Sequence, residues 1–521
     1  MSFLNDNISQ KKIVLGSDNL TLENLIKISR NDVKIDLFED SLKRVEAARN
    51  CVEERLESGG TYYGINTGFG ALANVKIPSD KLDELQINLI RSHACGVGEP
   101  LAEDIVRATL VLRIMNILKG NSGARKETVY IMQSFLNLGI TPYVPSRGSV
   151  GASGDLAPLA HIALNLIGEG KVYFKGNLVS TREVLDHLKV EPLKPKAKEG
   201  LCLINGTQVM TAIGLLCCYD ALNLLKTADI TAAISLDAVK GTLTAFRPEI
   251  QNVRPYNGQK IVSTNISKIL VDDGIRLSHM NCDKVQDAYS FRCVPQVHGA
   301  ARNAFTHVLD TLLLEAHSST DNPLVFPETN EILSGGNFHG EPVALVLDYF
   351  ALAMSEIGNI SERRLEKLVN AHMSGLPPFL TLNSGLCSGF MIPHVVAAAL
   401  VNENKVLSTP ASVDSIATSA EKEDHVSMGM TSANKMRLIL KNVSFILSLE
   451  LLAGVEGVEF HLPLEPGAGA RAGVEWTRNL VPAVKNADRS LSEEIEAVAS
   501  KLLRGELVHF VNQSLSGYTL Q

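Results

Sequence analysis

Apolar residues recur at three- and four-residue steps along most of the chain, the period of an α-helix with one buried face. In residues 103–119, Ile105, Leu112 and Met115 fall on such steps, with Thr109 between them. Glu103 and Asp104 stand in the first turn, and Lys119-Gly120 supplies a stop. Residues 124–138 repeat the pattern and end at Gly139. From about Asn434, the residues Met436, Ile439, Leu440, Val443, Ile446, Leu447 and Leu451 form one broad stripe, and residues 340–371 read as a single long helix. Helices of that length pack against several neighbours or another subunit. Strand patterns are few: KVYFKGNLVS at 171–180 predicts a small hairpin turning at Lys175-Gly176-Asn177. Residues 191–200, with two prolines and three lysines, read as a linker or domain edge. Between the helices lie short glycine-rich stretches at 64–70, 147–155, 334–340 and 464–473, the kind of loop on which functional groups sit.

Composition narrows the classes. The 521 residues are 45% hydrophobic, 20% charged and 5% aromatic, with one tryptophan, Trp476. These values suit a folded helical protein. A formal net charge of −8 gives no general basic footprint for nucleic acid. The apolar stretch 200–219 carries Asn205, Thr207, Gln208 and Thr211, which are costly in lipid, so it reads as a buried segment and not a membrane span. The eight cysteines (51, 95, 202, 217, 218, 282, 293 and 387) include no C-x-x-C pair. They form neither a disulfide scaffold nor a zinc site, and with no signal-peptide pattern in residues 1–16 they suggest a reduced cytosol.

The least ordinary stretch is RGSVGASGD at 147–155. Gly148, Gly151 and Gly154 free the backbone for conformations that side chains forbid. A tight bend there brings the Gly154 nitrogen onto the Ala152 carbonyl carbon. Ring closure with loss of water, then loss of the Ser153 hydroxyl as a second water, leaves an exocyclic methylene, an electrophile made without any external cofactor. Other readings fit less well. A nucleophile elbow needs G-x-S-x-G and the fifth position is Asp155; a phosphate loop needs a lysine that does not follow. The plain alternative is a Gly/Ser turn with Asp155 capping a helix from Leu156. No metal site is expected: there is no H-E-x-x-H, and Glu423-Asp424-His425 is not a recognised ligand set.

Residues 147–162 (RGSVGASGDLAPLAHI) resemble the signature of the MIO-dependent aromatic amino acid ammonia-lyases, which build 4-methylideneimidazol-5-one (MIO) from Ala-Ser-Gly. Further blocks match in order: YGINTGFG at 63–70, SHACGVGE at 92–99, NGTQ at 205–208, QDAYSFRCVPQ at 286–296, STDNPL at 319–324, SGGNFHGEPV at 334–343 and EDHVSM at 423–428. The resemblance implies a mainly α fold, a long-helix bundle of the fumarase/aspartase-like type. Residues 1–200 would form a smaller N-terminal domain carrying the MIO and Tyr63 loops, and residues 201–521 the central and C-terminal bundle. It also implies a homotetramer whose sites borrow residues from several subunits, so that Tyr63, Ser153 and Tyr289 meet only in the assembly. Ala152, Ser153 and Gly154 would form the prosthetic ring, with no external cofactor. Tyr63 would be the candidate base with Tyr62 its structural neighbour, Tyr289 a second active-site tyrosine and Arg292 the clamp on the substrate carboxylate. Asn205, Gln286 and Asn322 would orient the ring or that carboxylate, with Phe338 packed alongside. Asp424 and His425 are read as support for Glu423.

Two positions point to the members that act on histidine. Ser92-His93 is the pair found there, although tyrosine aminomutases share it. Glu423 stands where phenylalanine and tyrosine types carry an amide, and His339 also follows the histidine type. The chemistry agrees, because a carboxylate can accept a ring N–H from imidazole, whereas a phenyl ring would leave it stranded. His93 would contact the imidazole. The implied reaction is L-histidine to trans-urocanate and ammonia. The rival readings are a phenylalanine or tyrosine ammonia-lyase, a tyrosine 2,3-aminomutase, or a non-catalytic helical scaffold that never cyclises. Lys422, Ala288, Val294 and His298 depart from the family pattern, and Lys422 puts the local charge beside Glu423 in question.

Overall fold

The computed structural model describes residues 12–17, 20–280 and 284–521. Residues 1–11 of the stretch read against a signal peptide, and Cys282, lie outside them. The chain is mainly helical, with only short strands among the described residues. It divides into two compact units, each discontinuous in sequence. The first comprises 1–216, 309–347 and 410–434; the second comprises 217–308, 348–409 and 435–521.

In the first unit, the helix Glu103–Leu118 is buried on every side from Ile105 onward, so it is a central core helix and not an amphipathic one. Its buried arginines bond to main-chain oxygens: Arg107 donates to Ile28 O (2.8 Å) and Arg113 to Asn205 O (2.7 Å). The helix Lys126–Leu138 ends where Gly139 takes φ +68°, as its glycine predicts. The hairpin forms from Lys171–Phe174 and Asn177–Ser180, with Tyr173 opposite Leu178, and Thr141–Pro142 extends it to three strands. Strand Val97–Pro100 pairs antiparallel with Pro145–Arg147, which anchors the start of the glycine-rich 147–155 loop.

Residues 191–200 are not a solvated linker. Ala197, Lys198, Glu199 and Gly200 are buried: Lys198 Nζ lies 2.8 Å from Asp321, and Glu199 accepts from Arg125 (2.8 Å) and Thr128 (2.6 Å). Composition misled because these charges are paired inside.

In the second unit, buried ions are grouped. Glu450 accepts two bonds from Arg364 (2.5 and 2.7 Å) and others from Ser235 and Ser361. His298, one of the departures from the family pattern, is fully buried with Nδ1 2.8 Å from Asp229 and is structural; burial pushes its pKa down despite that carboxylate. The helices Gln208–Ala238, Glu341–Val369 and Gly429–Glu459 are long and apolar enough to cross a membrane. However, 78%, 67% and 83% of their apolar windows are buried inside the folded chain. The last of them starts five residues before the sequence stripe, behind Met428 in a left-handed conformation (φ +54°).

Candidate active site

Four loops of the first unit converge on a cavity of 690 Å³. The first is the loop at 63–70, which stitches itself together: Thr67 Oγ1 accepts from Gly64 N (3.1 Å), and Asn66 Oδ1 accepts from Tyr62 N (2.8 Å). This holds Tyr63 at the cavity wall, where its phenol oxygen accepts from Gly70 N (3.3 Å). Tyr62 packs instead into the core cluster of Ala48, Val52 and Ile65.

The second loop carries Ala152-Ser153-Gly154. Ser149 Oγ accepts from Gly151 N and donates to Gly154 O, both at 3.1 Å, which closes a tight turn. The turn sits on Gly206: Asp155 N donates to Gly206 O (2.7 Å), and Gly206 N donates to Ser153 O (3.2 Å). A Cβ at position 154 would stand 2.1 Å from Gly206 O, and Gly154 has φ +72°, so position 154 requires glycine on two counts. Ser427 Oγ, which sequence reasoning did not single out, supports the turn from behind by donating to Gly151 O (3.3 Å). A closed turn, a small buried Ala152 and a bare nitrogen at Gly154 fit the internal ring chemistry.

The third element is the NGTQ segment. Asp155 stands at the N-cap of Leu156–Leu166, but its side chain makes no capping bond there. Its Oδ2 accepts from Val209 N (2.8 Å) and Met210 N (2.9 Å), in the first turn of Gln208–Ala238. Burial pushes the Asp155 carboxyl up to about 7 against those two bonds. Arg113 donates to Asn205 O and to Gln208 Oε1 (2.5 Å), bracing the same segment. Asn205 Nδ2 donates to Asp321 Oδ1 (3.2 Å) and to Asn322 O (3.3 Å), and Asp321 is held by the buried Lys198. Local sequence could not have paired Lys198 with a residue 123 positions on.

The fourth loop carries Glu423. Its Oε2 accepts from Thr418 Oγ1 (2.7 Å), and its Oε1 lies 3.3 Å from Ser153 Oγ, which donates to it. The glutamate therefore faces the Ala-Ser-Gly turn across the cavity. His93, the last residue of Leu82–His93, shares the cavity. Its Nδ1 donates to Leu89 O (2.9 Å), leaving Nε2 as the acceptor of the neutral ring, and burial holds its pKa below the usual histidine value. Asn322 and Phe338 also line the cavity. Lys422 is exposed and does not line the cavity.

The remaining expected residues belong to the second unit. Gln286 and Arg292 line a separate cavity of 760 Å³ together with Lys240, Arg276 and His279. Tyr289 is 72% exposed, and the Arg292 guanidinium stacks on its ring at 4.4 Å. Arg292 Nε is buried with no hydrogen-bond partner among the described residues. One grouping was not foreseen: donor atoms of His339, Glu341 and His425 lie within 4.8 Å of one another, with the two imidazoles stacked at 5.7 Å. Both nitrogens of His339 are already engaged, Nε2 with His425 O (3.2 Å) and Nδ1 with Glu341 N (3.3 Å). The stacked pair therefore braces the loop behind Glu423.

The family model described as aromatic amino acid lyase matches residues 20–479. A histidine ammonia-lyase of Myxococcus xanthus is 48% identical over 508 residues, covering 97% of this chain and all of that one. The crystal structure of histidine ammonia-lyase from Trypanosoma cruzi is similar with TM-score 0.89 at 40% identity, covering 97% of this chain and 96% of that one. That of a tyrosine aminomutase from Streptomyces globisporus is similar with TM-score 0.92 at 35% identity, covering 98% and 100%.

Proposed function

This chain belongs to the aromatic amino acid lyase family, and on that premise we propose that it eliminates ammonia from L-histidine to give trans-urocanate. Backbone likeness does not separate the histidine lyases from the tyrosine aminomutases, so the substrate rests on the site. The observation that carries the reading is Glu423, whose carboxylate lies in the same cavity as the Ala-Ser-Gly turn and 3.3 Å from Ser153. A carboxylate there accepts the N–H of an imidazole ring and gains nothing from a phenyl ring.

Ala152, Ser153 and Gly154 would form MIO, which when present supplies an electrophile for the substrate amine; the rest of the work falls to other side chains. Tyr63 takes the proton from the β-carbon, placed for it by the Gly70 N–H. Glu423 holds the ring, with His93 Nε2 as a second acceptor beside it. Asn205 and Asn322 orient polar groups near the turn, and Phe338 closes the apolar side. Arg292 takes the substrate carboxylate in a two-pronged bond, with Gln286 and Tyr289 beside it. These three lie in the second unit, and we place them at the site of a neighbouring copy in a homotetramer with shared sites. The enzyme would work in the cytoplasm. Free cysteines among the described residues agree with a reducing compartment.

Histidine, phenylalanine and tyrosine supplied separately to purified protein test the substrate, and intact mass tests maturation. The mature chain should weigh two waters less than the translated one and turn over histidine alone. Glu423→Gln should keep that mass and lose roughly a hundredfold or more in kcat/KM for histidine. Turnover unchanged by Glu423→Gln would overturn the assignment.

A further inference from the structure

We propose that Thr418 is a positioning residue that sets the ring selectivity of Glu423, its hydroxyl tying one carboxylate oxygen so that the other is presented to the cavity. The inference rests on the histidine reading and deepens it. A carboxylate only accepts, so the 2.7 Å bond runs from the Thr418 hydroxyl to Glu423 Oε2. The two residues also bridge through the backbone, Thr418 N to Glu423 O (2.9 Å) and Glu423 N to Thr418 O (3.3 Å). Between them the chain reverses through Ser419, Ala420 and Glu421, all in the left-handed region (φ +51°, +52° and +67°). Three such residues in succession persist only where the flanks hold the turn closed.

The bond matters because of what maturation removes. In the uncyclised chain Oε1 accepts from the Ser153 hydroxyl. Ring formation expels that hydroxyl as water, so Oε1 loses its bond and becomes available to a ligand. Of the two side-chain bonds to the carboxylate among the described residues, the one from Thr418 remains. A glutamate free to rotate would lose several rotamers on binding each substrate. With Oε2 held, Oε1 stands ready as the acceptor for a ring N–H. The tether is specific to the ring end of the substrate and should leave the amine and carboxylate ends untouched.

The test is Thr418→Val, which keeps the branched shape and removes the donor, beside Thr418→Ser, which keeps the donor. Both should mature, as intact mass will read. Thr418→Val should raise KM for histidine about tenfold with kcat within about threefold, and Thr418→Ser should restore KM to within about twofold. Competitive inhibition by imidazole should weaken in parallel with KM, while inhibition by glycine, which carries only the amine and carboxylate, should not. Equal behaviour of the two variants, an unchanged KM, or joint loss of imidazole and glycine inhibition would each overturn the proposal. If Thr418→Val fails to mature, Thr418→Ala takes its place; failure of both while Thr418→Ser matures would assign Thr418 to folding and also overturn it. A mature wild type that leaves histidine untouched would sink the functional reading instead, and imidazole binding by calorimetry would still decide Thr418.

Discussion

The turn at 152–154 and the segment 286–292 both carry expected active-site residues, and they are built in opposite ways. Around Ser153 the main chain is committed: Gly206 grips the turn by two bonds, Ser149 closes it, and Asp155 is tied to a helix start. Around Tyr289 the side chains are exposed or lack partners: the phenol stands in solvent, and the Arg292 Nε hydrogen has no acceptor among the described residues. The first arrangement suits groups that must react with each other within one chain. The second suits groups that wait for something from outside, a substrate carboxylate or another copy of the chain.

The largest effect should come from breaking the committed side. Gly154→Ala puts a methyl 2.1 Å from a main-chain oxygen at φ +72°, and neither Gly206 nor the turn can yield cheaply. We expect an unmatured mass, with no water lost, and turnover below detection. Normal mass and activity would show that the turn is not rigid. On the other side, Arg292→Lys preserves charge but loses the fork that matches two carboxylate oxygens. KM for histidine should rise roughly tenfold, with intact mass unchanged, because this residue takes no part in making the ring. A loss of mass maturation in Arg292→Lys would erase the contrast between the two regions.

The same contrast explains how much could be read beforehand. The Ala-Ser-Gly turn was legible because its chemistry lies in consecutive residues and its three glycines mark the bends. The helix 103–118 was legible as a helix, but its burial on all sides was not, since Arg107 and Arg113 look like surface residues until their main-chain partners are known. Lys198–Asp321 and Ser427–Gly151 were invisible because each depends on where the fold brings two loops together, and Thr418–Glu423 because no glycine or proline marks the left-handed turn at 419–421 that closes between them. The plain alternative reading had the Asp155 carboxylate capping the helix that follows it; the protein spends it on a helix start more than fifty residues away, beside the Gly206 contact that holds the turn.

Asp155 also gives the smallest and most discriminating of the expected effects. Its carboxyl is raised from 3.8 to about 7 by burial. Between those values the folded chain keeps a proton that the unfolded chain has released, so this group's contribution is fully present below about pH 4 and is lost as pH climbs toward 7. A shift of that size bounds the effect at about 4 kcal/mol, and relaxation of the site will leave less. Asp155→Asn keeps an oxygen to accept from Val209 and Met210 but cannot ionise. The variant's melting temperature relative to wild type should therefore rise as pH goes from about 4.5 to 7.5, by a few degrees in a chain of this length. Asp237, raised by burial and by the neighbouring Asp273, titrates in both proteins and drops out of the difference, whereas Glu315, whose charge helps to raise Asp155, titrates with it and belongs to the measured effect. Arg292→Lys should show no such slope. A difference between Asp155→Asn and wild type that stays flat with pH would mean that the carboxylate is already ionised in the native cradle, held so by its two N–H donors, and that bonding there outweighs burial.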